Sequence, residues 1–292
     1  MLGRVKALRF LRNEVVLITG GSSGIGKALA FEAARRGAIV VVVARNQEKL
    51  AAVAKKCLIL SGRPAFAYAL DVTSPDAIDR VLDKVQHEVG AIDVLINSAG
   101  LGEFTAVAHE KYSAMATMVH VNLLALMYIS RCVAKQMMDQ GYGAIINIAS
   151  LAGKIPTPNS AVYSATKAGI IQFDNVLRME VADYGVQVLT VNPGPITTPF
   201  FKKADQTGDY QAHLPQWMFI EPDDLATRIW DNVGHKTREI NVPAYVAYLG
   251  WAYQVFPGLG DWAIKKFFDF QQDKRTCKYL SSTQKMKDCH LK

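Results

Sequence analysis

The chain of 292 residues is half hydrophobic and 20% charged, which supports one large domain or two small ones around a real core and excludes compositional disorder. Its four cysteines, Cys57, Cys132, Cys277 and Cys289, show no CxxC spacing; that argues against a disulfide framework and against a zinc or other metal site, and fits reduced thiols in the cytoplasm. The formal net charge of +7 includes no basic run interleaved with aromatics, so nucleic acid is not an expected partner; the charge is read as solubility plus an anionic cofactor, with attraction to a membrane surface left open.

The opening "MLGRVKALRFLRN" has basic residues but not the sustained apolar stretch of a signal peptide. "EVVLITG", residues 14–20, is short, apolar and β-branched and stops at glycine, the pattern of a buried strand. "IGKALAFEAARRG" then carries apolar positions at helical spacing up to Gly37. "AIVVVVA" is a second strand. A helix is predicted from about Asn46 to Ser61, a strand over "AFAYAL" up to Asp71, a helix from Ser74 to about Val89, and a fourth strand with its loop in "IDVLINSAG". A long helix from about Lys111 to Asp139 precedes the strand "GAIINIAS"; a second long helix spans "AVYSATKAGIIQFDNVLRMEVADYG", and "VQVLTVNPG" is a sixth strand. Strands and helices alternate, and the strands lack in-out polar alternation. The predicted fold is therefore α/β: a single Rossmann-type, doubly wound parallel sheet flanked by helices. No linker composition interrupts residues 14–195, and no repeat of solenoid period is present.

"TGGSSGIG", residues 19–26, joins the first strand to the first helix. Glycines at 20, 24 and 26 let the backbone approach a pyrophosphate, and the helix N-terminus offers unpaired N–H groups and partial positive charge. Gly20, Ser22, Ser23, Gly24, Ile25 and Gly26 are thus the expected phosphate-binding residues of a dinucleotide. At the tip of the second strand, where an acid usually takes the ribose hydroxyls of NAD, stand Ala44 and Arg45. Arg45 suits a 2′-phosphate through paired hydrogen bonds, with Ser22 as an added donor, so NADP(H) is expected over NAD(H).

Asn97, Ser98, Ala99 and Gly100 place small residues at the C-terminal tip of the fourth strand, the edge at which ligands bind in such sheets. Tyr163 and Lys167 share one face of the second long helix, and Ser150 ends the strand before it. An ammonium beside a phenol favours the phenolate and lowers its pKa from about 10. Lys167 is also placed to hold the nicotinamide ribose beside Tyr163, and Ser150 to hydrogen-bond a substrate oxygen. In isolation the Tyr–Lys spacing reads as an incidental pair; Ser150 at its spacing and the glycine turn upstream reverse that and favour the chemical reading.

These motifs resemble the short-chain dehydrogenase/reductase family in its NADP-dependent branch, over residues 14 to about 200. The resemblance rests on "TGGSSGIG", Asp71–Val72, "NSAG", "VNLLALM", "INIASLAG", "YSATK" and "NPGPITT". It implies a catalytic tetrad: Asn122 on a water-linked proton path through Lys167, Ser150 placing a carbonyl, and Tyr163 as acid/base. It further implies that Asp71 and Val72 meet the adenine, that Asn97 to Gly100 line the cofactor channel, and that Pro193, Gly194, Ile196 and Thr198 contact the nicotinamide end. Only the resemblance singles out Asn122. "NSAG" departs from the commoner "NNAG": Ser98 replaces an asparagine that usually ties strands together, which puts local stability in question. The family also implies a small carbonyl or alcohol substrate and a homo-oligomer, a dimer or tetramer.

"KKADQTGDYQAHLPQWMFI" has little periodicity and suits a loop over a substrate pocket. "EPDDLATRIWDNV" reads as a helix and "REINVP" as the last strand, closing a catalytic domain over residues 1–242. Residues 243–292 form a predicted helical extension, starting with the aromatic "AYVAYLGWAYQVFPGLGDWAIKKFFDF", which Pro257 and two glycines break. It is read as packing on the domain, as a subunit interface, or as a membrane-surface contact with Lys265 and Lys266 beside the aromatics. The N-terminal half is similar to 3-ketosphinganine reductases, which act on lipids at membranes; the ending is closer to uncharacterised bacterial short-chain reductases. The expectation is a carbonyl reductase or alcohol dehydrogenase for a hydrophobic substrate. A membrane-associated lipid ketone reductase and a catalytically idle nucleotide-sensing protein are the alternatives.

Overall fold

A computed structural model of the chain describes residue 8, residues 10–205 and residues 216–267. Seven parallel strands form one sheet: β1 (Val15–Thr19), β2 (Ile39–Ala44), β3 (Ala65–Ala69), β4 (Val94–Asn97), β5 (Gly143–Ile148), β6 (Val186–Pro193) and β7 (Glu239–Val242), in the order β3-β2-β1-β4-β5-β6-β7. Between them lie α1 (Gly24–Arg35), α2 (Gln47–Ser61), α3 (Pro75–Glu88), α4 (Tyr112–Val119), α5 (Ala125–Gln140) and α6 (Ala161–Val181). After β6 come α7 (Phe200–Ala204) and α8 (Pro222–Trp230), and after β7 come α9 (Val246–Val255) and α10 (Pro257–Phe267). The doubly wound α/β fold read from the alternating runs is the observed one.

The strands need continuous apolar runs because both sheet faces are covered. Val16 and Ile18 of β1 enter one core with Leu29 and Ala33 of α1 and Trp230 of α8. Val15 and Leu17 of the same strand enter the opposite core with Ile129 and Val133 of α5 and Leu177 of α6. That alternation is the two-residue period of a strand expressed between two helical layers. Trp230 is fully enclosed, and its indole N–H donates to the Leu29 carbonyl at 3.1 Å.

Local signals set the helix ends. The Asn46 side chain accepts from Lys49 N at 2.8 Å to start α2, and Gly62 ends it in the left-handed region at φ 63°. Ser74 caps α3, and Pro75 occupies its first turn, where a missing N–H costs nothing.

One polar layer crosses this apolar sheet. Thr19, Asn97, Asn147, Thr190 and Glu239 are register partners on five adjacent strands. Asn97 Nδ2 donates to Asn147 Oδ1 at 2.8 Å and to Ser130 Oγ of α5 at 2.9 Å. Asn147 Nδ2 and Thr190 Oγ1 both donate to the buried carboxylate of Asp174 on α6, at 2.5 and 2.7 Å. The strand-tying role assigned in the sequence to position 98 thus belongs to Asn97, and Ser98 is held through its backbone, whose N–H donates to Thr19 Oγ1 at 3.1 Å.

Burial pushes the Asp174 carboxyl up from 3.8 to about 7, outweighing its two donors and the Arg178 charge, while Glu239 adds in the same upward direction. A folded-state pKa above the unfolded one means that this contribution to stability is complete below about pH 4 and is lost as pH rises to about 7. Asp174→Asn should therefore flatten the change of Tm with pH between about 4 and 7. An unaltered slope in thermal unfolding across that window would show that Asp174 does not titrate there.

The described residues fall into two compact units, one ending at Gly250 and the other beginning at Trp251. The first holds the whole sheet. The helical stretch Tyr112–Gln140 is long and apolar enough to cross a membrane by length and composition alone, but in this fold its α5 half lies on β5.

Candidate active site

The site is built where the C-terminal ends of β1, β4, β5 and β6 meet the N-terminal turns that follow. Gly20 is at φ 67°, and a Cβ there would sit 2.8 Å from Ala99 N, so the glycine turn and the "NSAG" loop lie backbone against backbone. At Gly26 a Cβ would sit 2.5 Å from the Gly20 carbonyl oxygen, which is why the turn can fold back on the start of α1. Ser23, at the N-cap of α1, makes no side-chain cap bond, and the first turn contains no acid. The helix therefore presents free N–H groups and uncancelled partial positive charge beside Ser22 and Ile25, the chemistry a pyrophosphate requires. Thr198 faces this turn: a Cβ on Gly24 would lie 3.4 Å from Thr198 Cβ.

Arg45 is exposed just beyond the tip of β2. Beyond β3, Asp71 forms an Asx turn, accepting from Thr73 N at 3.0 Å and Thr73 Oγ1 at 2.8 Å. These bonds, and secondarily the Arg45 charge, hold the Asp71 carboxyl below its usual range. Arg45, Asp71 and the half-buried Val72 thus share the β2–β3 edge, the end suited to adenosine.

At the other end, Lys167 Nζ lies 5.6 Å from the Tyr163 ring centroid and donates to the Ile148 carbonyl at 2.8 Å. Burial pushes the Lys167 amine down from 10.5 to about 8, still above neutrality, so it carries its charge at pH 7. The sign of the linkage is opposite to that of Asp174: the unfolded chain holds the proton more tightly, so this group makes stability rise with pH between about 8 and 10.5. Ser150 caps the turn Leu151–Gly153, its Oγ accepting from Ala152 N at 3.1 Å. Gly153 lets that turn close on α6, since a Cβ there would meet the Lys167 carbonyl carbon at 2.7 Å.

Asn122 is fully buried in a π-helical turn, His120–Leu124, between α4 and α5. Its Oδ1 accepts from Leu101 N and its Nδ2 donates to Leu101 O, both at 2.8 Å, with a further bond to Thr166 Oγ1 at 3.2 Å. A Cβ on Gly100 would lie 3.4 Å from Asn122 Oδ1 and 3.8 Å from Lys167 Nζ, so the "NSAG" loop meets both residues. Gly194, after Pro193, approaches the Leu151 side chain, and Ile196 is buried with a bridge to Ile220. The residues singled out in the sequence therefore occupy one edge of the sheet, with Arg45 and Asp71 at its far end.

Sequence reading missed three contributors. Thr166 links the site helices, donating to Tyr163 O at 2.7 Å while accepting from Asn122. Phe104 and Phe200 flank the Tyr163 ring at centroid distances of 5.6 and 5.7 Å, Phe104 edge-on. Phe200 opens α7, which makes residues 202–204 helical where the sequence predicted a loop, and Phe104 N donates to the Ala204 carbonyl at 2.8 Å to fix it. Much of the predicted lid, residues 206–215, lies outside the described residues. Gly102 was the available signal: a Cβ there would meet the Phe200 ring at 2.8 Å.

The family model for short chain dehydrogenases matches residues 14–209. The chain belongs to the short-chain dehydrogenase family. An uncharacterised oxidoreductase of Staphylococcus saprophyticus is 35% identical over 195 residues, covering 67% of this chain and 83% of the relative. The ketoacyl reductase HetN of a Nostoc species is 34% identical, covering 80% of this chain and 79% of its own. Among solved structures, a short-chain dehydrogenase from Sphingobium yanoikuyae in complex with NADPH superposes with a TM-score of 0.74 at 29% identity, covering 89% of this chain and 97% of that one. This short-chain dehydrogenase is accordingly an oxidoreductase acting on CH–OH groups.

Proposed function

We propose that the protein is an NADP(H)-dependent reductase that interconverts an apolar ketone or aldehyde and its alcohol, with Tyr163 as acid/base. The observation that carries this reading is the buried Lys167 ammonium beside the Tyr163 ring. Bound NADPH supplies the hydride. Tyr163 donates the proton to the carbonyl oxygen, eased by the adjacent cation, and Ser150 donates a hydrogen bond to the same oxygen as charge develops on it. Asn122 sets the loop of Gly100 and Leu101 and, with Thr166, the start of α6. The glycine turn takes the pyrophosphate, and Arg45 takes the 2′-phosphate. Related structures support the cofactor choice, including the NADPH complex from Sphingobium yanoikuyae. An idle nucleotide sensor of this fold has no need for all four of Asn122, Ser150, Tyr163 and Lys167; oxidation of NADPH with a panel of ketones tests the distinction.

Arg45→Ala should weaken NADPH by about 10- to 100-fold while changing NADH little, because only NADPH carries the phosphate that the guanidinium pairs with. Equal weakening of both cofactors in binding titrations contradicts that role.

The apolar substrate class follows from the wall around Tyr163. Phe104, Phe200 and Phe201 contact one another at centroid distances of 5.6–6.2 Å, and Phe201 meets Phe219 at 5.9 Å. Phe200→Ala should raise KM for apolar ketones by about tenfold, with a smaller change in kcat, because it removes uniform binding rather than a proton-transfer group. Steady-state kinetics with ketones of increasing alkyl length read this directly; an unchanged KM removes Phe200 from the pocket.

A homo-oligomer belongs to the same reading: Tyr112, Val119 and Leu124 along α4 and the π turn, and Val176 and Met179 on α6, are exposed apolar side chains. So does a reducing, cytoplasmic setting, with Cys57 and Cys132 both free thiols. The lipid ketone reductase reading is favoured by the exposed aromatics of residues 251–262. Packing of residues 243–292 as an extension of the catalytic domain, with 268–292 outside the described residues, stays part of the proposal.

A further inference from the structure

We infer that residues 251–266 form a docking face for an anionic phospholipid surface. The helical hydrogen bonding runs through the joint between α9 and α10: Phe256 N donates to Ala252 O at 2.9 Å and Gly260 N to Phe256 O at 3.0 Å. On one side the joint is closed by Tyr253, which packs against Gly260 and whose hydroxyl donates to Asp261 Oδ1 at 3.0 Å. Trp251, Val255, Phe256, Leu259 and Trp262 are left exposed around it, the two indoles at 67% and 60%. Large apolar side chains at this exposure, five within twelve residues, are the groups that water solvates worst.

The charge beside them selects the occupant. Lys265 and Lys266 are exposed, and Lys266 Nζ lies 5.2 Å over the Trp262 ring, so cation and indole share one end of the face. A second copy seated on this face by two-fold symmetry presents the same positive charge of Lys265 and Lys266 rather than its complement. Phospholipid headgroups of negative charge complement it, while tryptophan and phenylalanine enter the headgroup boundary and the lysines stay in water. Such a contact holds the enzyme at the phase in which apolar ketones concentrate, but the binding itself does not depend on any turnover.

The test is flotation of the full chain with vesicles of phosphatidylcholine alone, and with vesicles of phosphatidylcholine and phosphatidylglycerol in equal parts. The protein should float with the anionic vesicles and be released by salt. Trp251→Ala with Trp262→Ala, and separately Lys265→Glu with Lys266→Glu, should each cut the floated fraction about tenfold. Neither pair is among the residues assigned to the candidate active site, so NADPH oxidation with a water-soluble ketone should be unchanged in both, which also shows that they fold. Absence of flotation by the wild-type chain, or wild-type flotation by both pairs, overturns the inference. So does loss of the oligomer in sedimentation velocity for the tryptophan pair, which assigns the face to a second copy.

Discussion

Tyr163→Phe should lower kcat by about 10²- to 10⁴-fold, the usual contribution of a positioned general acid, while NADPH binding stays within a few-fold of wild type. The ring of Tyr163 is 9% exposed and wedged between Phe104 and Phe200, so phenylalanine keeps the packing and only the hydroxyl is removed. The fold should hardly respond, with a change in stability below about 1 kcal/mol. NADPH oxidation and a parallel binding titration separate the two effects: lost turnover with retained cofactor assigns the hydroxyl to proton transfer. Equal turnover by the two proteins removes Tyr163 from the chemistry.

Gly20→Ala has the largest expected effect on the scaffold and the cofactor together. The substitution forces an L-residue to φ 67° and drives its Cβ to 2.8 Å from Ala99 N and 2.9 Å from Ser98 C. Neither neighbour can yield cheaply. Ser98 N and Ala99 N both donate to Thr19 Oγ1 at 3.1 Å, and Gly21 N donates to Val43 O at 3.3 Å on the other side. Backbone strain and overpacking together cost roughly 2–5 kcal/mol. For a chain of this size that lowers Tm on the order of 10 °C. NADPH binding should be lost with it, because the turn that cradles the phosphates is displaced. Gly62→Ala is the control: its φ of 63° carries similar strain, but a Cβ there meets nothing within 4 Å. Equal Tm losses for the two variants would show that the close approach of the glycine turn to the "NSAG" loop does not matter.

The sheet and its edge were legible because their signals are local. A run such as "VVLIT" ending in "GGSSGIG" states a buried strand, a turn that needs glycine, and a helix start, all within the first 26 residues. Tyr163 and Lys167 are legible for the same reason, since helical geometry fixes their spacing whatever packs against them. Asn122 was reached only through a family resemblance. Its role depends on a π turn and on Leu101, 21 residues away, and neither leaves a local pattern. Asp174 is a mid-helix acid that reads as solvated; its burial follows from the cross-strand partners Asn147 and Thr190, which only the sheet register brings together. Phe104 and Phe200 meet Tyr163 from segments remote in sequence, so aromatic composition alone could not assign them to the pocket.

The central claim is that Tyr163, with Lys167 beside it, completes a hydride reduction of a carbonyl. The most direct measurement follows deuterium from NADPH labelled on the reactive face of nicotinamide C4 into the alcohol formed from an apolar ketone, read by mass spectrometry. Wild type should place one deuterium on the carbinol carbon, with the hydroxyl proton drawn from water, and Tyr163→Phe should form almost no labelled alcohol in the same time. An unlabelled product, or equal labelled product from the two proteins, contradicts the account.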